Sequence, residues 1–229
     1  IETFGKDLPS RDRVINHQPA TITRLHATDG TLISEYASKR RLFVPIEAIP
    51  AQVQNAFIAA EDKAFRSHKG VDWLSLLESV PNNVARFING RRLVGSSTIT
   101  MQVAKNFVVG DRRALDRKIR EIFSALEIEK ESSKDDILEL YLNEIYFGVR
   151  SYGIAAAALS IFNKSVEELE LHEAAYLAAV IKGPENYHPI RGAERALERR
   201  NWVLDRMAEN GFVSQNEAEL AKIQPIGAE

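Results

Sequence analysis

Two glutamates carry the chemistry this chain could do. Glu61 follows the apolar, small-residue run Ala56-Phe-Ile-Ala-Ala60 and opens the segment Glu61-Asp-Lys-Ala-Phe-Arg-Ser-His-Lys-Gly-Val-Asp72. A carboxylate drawn against a desolvated wall at a helix end has its charged form disfavoured, which makes it a better proton acceptor near neutral pH. The same residues also suit a plain role: a solvated helix-end acid, Phe65 in a core and His68 bonded to a carbonyl. Glu121 closes Asp111-Arg-Arg-Ala-Leu-Asp-Arg-Lys-Ile-Arg-Glu121. On a helix, Arg117 lies four residues before it and Lys118 three, so both cations would hold that carboxylate charged. Two carboxylates in contrasting surroundings are the pattern expected for glycosyl chemistry.

Between them lies Gly95-Ser-Ser-Thr-Ile-Thr-Met-Gln-Val-Ala-Lys-Asn106, in which hydroxyls, an amide and an ammonium crowd a loop-to-helix entry. Ser97 and Thr98 can cap that helix while its free N–H groups face an anion. The glycines of Gly90-Arg-Arg-Leu-Val-Gly95-Ser-Ser97 mimic a phosphate loop, but no lysine follows at the required place and no strand precedes it. A nucleotide fold is therefore excluded, and anion binding stays open. Lys105, Arg112, Arg113, Arg117, Lys118 and Arg120 form a local positive patch.

The elements that must position these residues are mostly helices. A β-rich stretch around Asp29-Gly30 predicts one hairpin from about Thr21 to Tyr36, with a third strand through Leu42 to Val44. From Pro50 the pattern turns helical, with Val53, Phe57 and Ala60 on one face. Leu115, Ile119, Ile122 and Leu126 stripe a helix from about Ala114 to Glu131, and Ile137, Leu138, Tyr141, Leu142 and Ile145 stripe another. Lys134, Glu139 and Asn143 are the polar residues of note there. Ala155 to Ala158 sit in a third helix with little bulk. Ser165-Val-Glu-Glu168 and Ser214-Gln-Asn-Glu217 fit the Ser-x-x-Glu capping box. Gly183-Pro184 ends a helix carrying Glu173 to Lys182, and Gly211 ends one from about Glu194 to Asn210.

Composition bounds the rest. The 229 residues are 45% hydrophobic and 27% charged, a globular balance that excludes disorder and collagen. The absence of cysteine rules out disulfides, Cys-type zinc sites and a thiol nucleophile. With 30 basic against 32 acidic residues the net charge is −2, so nucleic acid is not an expected partner. No apolar run approaches the roughly 18 residues of a membrane span. The chain begins at Ile1 without an initiator Met, which leaves two expectations, a soluble protein or a piece of a longer chain. Leu74 to Leu93 interleaves Leu76, Leu77, Val80, Val84, Phe87 and Ile88 with Arg86, Arg91 and Arg92, which suits either a core helix or a membrane surface.

The order and spacing of these segments resemble the family 51 peptidoglycan glycosyltransferases of class A penicillin-binding proteins. Glu-Asp-x-x-Phe-x-x-His-x-Gly-x-Asp from Glu61, Gly-x-Ser-Thr-Ile-Thr-x-Gln-x-x-Lys-Asn from Gly95, Arg-Lys-x-x-Glu from Arg117 and Lys-x-x-Ile-Leu-Glu-x-Tyr-Leu-Asn from Lys134 match the first four motifs. The fifth runs from Glu173 through Asn186-Tyr-x-Pro189 to Arg199-Arg200. Departures are Ser96, Met101, Arg150 and the Ile181-Lys182-Gly183 triplet.

The resemblance implies a mainly α, lysozyme-like glycosyltransferase domain at residues 49–229 behind a small β-rich N-terminal segment at 1–48, with 74–93 dipping into the membrane. It implies polymerisation of lipid II, a disaccharide-pentapeptide on undecaprenyl pyrophosphate, into β-1,4 glycan with inversion. Glu61 would be the general base on the acceptor hydroxyl and Glu121 the second essential acid near the departing pyrophosphate. Asp62, Phe65, His68, Ser97, Thr98, Gln102, Lys105, Asn106, Arg113, Arg117, Lys118 and Arg120 would contact substrate. No cofactor is required by this pattern and no metal ligands are expected, although Mg2+ or Mn2+ could assist the pyrophosphate. Expected partners are lipid II, the growing glycan chain, the membrane surface and moenomycin-type inhibitors. A transpeptidase domain would follow in the intact chain, anchored on the outer face of the cytoplasmic membrane. A lysozyme-type hydrolase and a non-catalytic lipid II-binding envelope module are the rival expectations.

Overall fold

The computed structural model describes residues 23–26, 32–36, 42–78, 97–107 and 114–228. In chain order the elements are β1 (Thr23–His26), β2 (Leu32–Tyr36), a 3-10 turn (Ile46–Ala48), α1 (Ala51–Glu61), α2 (Ile99–Phe107), α3 (Ala114–Glu131), α4 (Lys134–Glu144), β3 (Tyr146–Gly148), β4 (Ser151–Tyr152), α5 (Ile154–Phe162), α6 (Leu171–Val180), α7 (Ala193–Glu209) and α8 (Gln215–Lys222). A further helical stretch at 73–78 starts behind Asp72, whose carboxylate accepts the Ser75 N–H at 3.0 Å. The chain is mostly helical, as expected, and divides into two compact units, Glu61–Ile137 and His17–Ala60 with Leu138–Glu229.

In the second of these units the expected hairpin forms. β1 and β2 pair antiparallel with Thr23 opposite Tyr36 and Leu25 opposite Ser34. Its turn at Asp29-Gly30 lies outside the described residues. The third strand through Leu42 to Val44 does not form, because a side chain takes the hydrogen bonds that a neighbouring strand would have used. Val44 N–H donates to Asn143 Oδ1 at 2.9 Å, and Asn143 Nδ2 donates to the Val44 carbonyl at 2.9 Å. Ile46 N–H then donates to Glu139 Oε2 at 2.8 Å. Two of the polar residues noted on α4 thus fasten the chain that enters α1.

α1 starts directly after Pro50 and buries Val53, Ala56, Phe57, Ile58 and Ala59. The Phe57 ring meets Tyr141 and Phe147 edge-on, with centroids 6.4 and 5.9 Å away, the arrangement that suits the aromatic quadrupole. α6 is buried from His172 to Val180, so it is the central helix of this unit. α7 packs against it. Arg200 of α7, fully buried, donates to the carbonyls of Lys222, Gln224 and Pro225 at 2.8, 2.6 and 3.2 Å and so closes the end of α8. Burial pushes that guanidinium below its usual pKa.

The two Ser-x-x-Glu boxes have different fates. Ser214 caps α8, with Glu217 N–H on Ser214 Oγ at 3.2 Å and Ser214 N–H on Glu217 Oε2 at 2.7 Å. At Ser165 the bond from its N–H to Glu168 Oε2 forms at 2.8 Å but closes only a turn. Val166 and Leu169 are buried on that turn, and the helix starts later, where Glu170 N–H donates to Glu173 Oε2 at 2.9 Å.

In the Glu61–Ile137 unit, α2 packs along α3 around Phe65, Val71, Ile99, Met101, Val103, Ala104, Ala125 and Ile128. The approach is close at Gly70, which has φ 84°; a Cβ there would lie 2.8 Å from the Ala125 carbonyl oxygen. Only glycine meets both demands without strain.

Candidate active site

Glu61 is the last residue of α1. Gln102 sits one turn into α2 and donates Nε2–H to Glu61 Oε2 at 2.8 Å. Glu61 Oε1 is buried and has no hydrogen-bond partner among the described residues. The two oxygens are thus unequal: one is held, the other is a shielded acceptor whose hydrogen bond is unmade. An unsatisfied buried acceptor is costly, and a hydroxyl brought to it would relieve that cost by donating its proton.

Asp62 is fully engaged. Its carboxylate takes His68 Nε2 at 2.9 and 3.0 Å and the Ile99 N–H at 2.9 Å. Phe65 is fully buried, with its ring edge-on to His68 and the Lys134 ammonium 4.4 Å from its centroid. Lys134 Nζ also donates to Glu129 Oε1 at 2.5 Å, which accepts the Thr100 hydroxyl at 2.6 Å. Thr98 Oγ1 donates to the Gly70 carbonyl at 2.6 Å and accepts the Met101 N–H at 3.1 Å. Asp62, Phe65, His68 and Thr98 therefore spend these contacts inside the protein, where they anchor the start of α2. Of the helix-start amides, Ile99 N–H is taken by Asp62 and Met101 N–H by Thr98. Met101 itself is buried in the core, so its departure from the motif changes packing on that side of α2.

Positive charge is supplied by side chains. On α3, Glu121 is only 6% exposed, with Lys118 Nζ 3.4 Å from Oε2 and Arg117 Nε 3.7 Å from Oε1. These are the two pairings that helical spacing predicted. Lys118 Nζ donates in addition to Ser97 Oγ at 2.7 Å. The stretch from Ser97 to Gln102 thus reaches the Glu61 carboxylate at one end and the ammonium beside Glu121 at the other. Lys105 is exposed on α2 and Arg120 is buried on α3. Arg113 and the Asn106 side chain lie outside the described residues. The Thr100–Glu129–Lys134 tie was not anticipated, since nothing in the sequence pairs residues so far apart. Among the described residues no group of three or more His, Asp or Glu is placed to hold a metal ion.

The helical scaffold presents two shielded glutamates, Glu61 with an open oxygen and Glu121 against cations. The transglycosylase family matches residues 29–208, and the chain belongs to that family. It is 43% identical over 226 residues to penicillin-binding protein 1A of Rickettsia felis, covering 99% of this chain and 29% of the relative. To penicillin-binding protein 1A of Escherichia coli K12 it is 42% identical over 205 residues, covering 90% and 24% respectively. The crystal structure of penicillin-binding protein 1A from Haemophilus influenzae superposes with a TM-score of 0.51 at 28% identity, over 91% of this chain and 21% of that one. The chain thus spans between about a fifth and three tenths of the length of these relatives.

Proposed function

We propose that this domain is a peptidoglycan glycosyltransferase that polymerises lipid II. In the proposed step Glu61 Oε1 takes the proton from the 4-hydroxyl of the acceptor sugar. The hydroxyl oxygen attacks the anomeric carbon of the donor from the face opposite the leaving group. The C1–O bond to the undecaprenyl pyrophosphate breaks, giving an inverted β-1,4 link and the free pyrophosphate anion. The observation that carries this reading is the split environment of Glu61, with Oε2 held by Gln102 and Oε1 buried without a partner. Lys118 and Arg117, placed by Glu121 and Ser97, would stabilise the developing negative charge. A divalent ion arriving with the pyrophosphate would be a companion of substrate; no step is assigned to it.

The cations also favour transfer over hydrolysis, because a lysozyme-type hydrolase cutting a neutral glycosidic bond has no pyrophosphate to hold. Trp73, Leu74 and Leu77 expose 53%, 75% and 66% of their surfaces, and no described helix is long and apolar enough to cross a membrane. Exposed apolar side chains of this kind fit work at the membrane surface, where a lipid-linked substrate is found. On this reading the domain acts on the outer face of the cytoplasmic membrane, takes moenomycin-type inhibitors in place of substrate, and is followed by a transpeptidase domain in the intact chain.

Incubation with labelled lipid II tests the proposal. Polymer is expected from the wild type and none from Glu61→Gln. Lysis of cell-wall glycan without lipid-linked substrate would instead establish a hydrolase, and binding of lipid II without product a non-catalytic module.

A further inference from the structure

The unit that does not contain Glu61 has a cavity of its own. It measures about 250 Å³ and lies between the β3–β4 hairpin and the segment after α6. Its inner wall is apolar: Phe147, Ile161 and Val180 line it and are each at most 3% exposed. The wall is tight at the hairpin, where a Cβ on Gly148 would come within 2.9 Å of Pro184 Cβ. Cavities for drug-sized molecules run from roughly 300 to 1,000 Å³. This one is smaller and suits one or two small residues of a peptide.

The lining also carries charged and titratable side chains. Arg150, Arg191, His188 and Glu185 all border the cavity. Arg150 makes no hydrogen bond or ion pair with another described residue. Glu185 lies 3.6 Å from Arg191, but both side chains are at least 70% exposed, so the pairing is weak and Arg191 stays available. His188 Nδ1 accepts the Ile190 and Arg191 N–H groups at 3.2 and 3.4 Å, which leaves the proton of the neutral ring on Nε2 as a donor. The hairpin tip is strained as well: Val149 and Arg150 have φ of 49° and 59°, in the left-handed region that a β-branched residue rarely enters. Both tip residues are exposed, so core packing does not account for holding an arginine there. Strain of this kind concentrates at ligand sites.

We infer that this cavity binds the end of a short peptide with small side chains, its apolar body against Phe147 and Val180 and its terminal carboxylate between Arg150 and Arg191. A guanidinium matches a carboxylate in shape as well as charge. Pyrophosphate is a poorer occupant, because it has no apolar body to cover the inner wall. The inference rests on the proposed function only for the natural ligand, the stem peptide of the lipid-linked disaccharide, which ends in such a carboxylate.

The test titrates the chain with N-acetyl-alanyl-alanine, in its L,L and D,D forms, followed by the backbone amide signals of Gly148 and Val149. Saturable shifts with the free acid of either form are expected, with binding at least about tenfold weaker for the C-terminal amide. Arg150→Gly should also weaken binding about tenfold while keeping or raising the melting temperature, since glycine suits φ 59°. Arg191→Gln should weaken it without touching the hairpin. Equal binding of acid and amide, unchanged binding by both variants, or inorganic pyrophosphate binding there at least as tightly as the peptide would overturn the inference. Peptide binding is read without turnover, so the two proposals fail separately. Polymer from lipid II with no peptide binding sinks only the cavity, and peptide binding with no polymer sinks only the transferase.

Discussion

Gln102 donates to Glu61 Oε2 at 2.8 Å across 41 residues of sequence and leaves Oε1 buried without a hydrogen bond. If this bond fixes which oxygen receives the acceptor proton, the two residues should respond differently to substitution. Glu61→Gln is expected to abolish polymerisation with the fold intact. Gln102→Ala should lower kcat about ten- to a hundredfold and leave KM nearly constant, because the amide orients the base without binding substrate. Steady-state kinetics on lipid II separate the cases, and a rise in KM alone would make Gln102 a substrate contact.

Glu121 holds Lys118 at 3.4 Å and Arg117 at 3.7 Å from a nearly buried position. Glu121→Gln should therefore reduce turnover strongly, by about a hundredfold or more, with an unchanged circular dichroism spectrum. Retention of full activity would remove Glu121 from the site.

The glycines separate crowding from backbone conformation. At Gly70 φ is 84° and an added methyl would stand 2.8 Å from the Ala125 carbonyl oxygen, so alanine is both strained and obstructed. At Gly211, with φ 73°, nothing lies within 4 Å. Gly70→Ala should thus cost more than Gly211→Ala, whose penalty is only the conformational ~1–2 kcal/mol. Urea denaturation of the two variants gives the comparison, and equal losses would show that α3 yields freely at Ala125.

Stability should also fall on mild acidification through His172. Burial depresses its pKa below 6.5, against opposing contributions from Glu173 and Glu170 and with smaller help from Arg200 and Lys164. The unfolded chain therefore binds a proton that the folded chain resists. Its contribution is complete above pH 6.5 and is lost as pH falls through the lower folded value. The melting temperature should drop over that window, and His172→Gln should flatten this part of the profile; an unchanged slope would assign the effect to other groups.

What could be read from the sequence was local. The α3 boundaries at Ala114 and Glu131 follow from a 3.6-residue stripe, and the Arg117 and Lys118 pairings with Glu121 follow from helix geometry alone. The Ser214 cap needed only its own neighbours. The identical pattern at Ser165 shows the limit, since Val166 and Leu169 are drawn into the core and the chain turns before the helix begins. Motif order also picked out Glu61 and Asp62, but not that Asp62 is fully bonded while one oxygen of Glu61 is left open.

Tertiary structure decided the contacts between distant residues. Asn143 reaches Val44 across 99 positions and replaces an expected strand. Asp62 spends its contacts on Ile99 N–H and His68, which anchors the start of α2. Residue types and helical periods determined which groups this protein could bring to a reaction, because those depend on a few neighbouring residues. Which carboxylate oxygen is held and which is left open depends on burial and on partners chosen by the packed chain, and that emerges only when Gln102 meets Glu61.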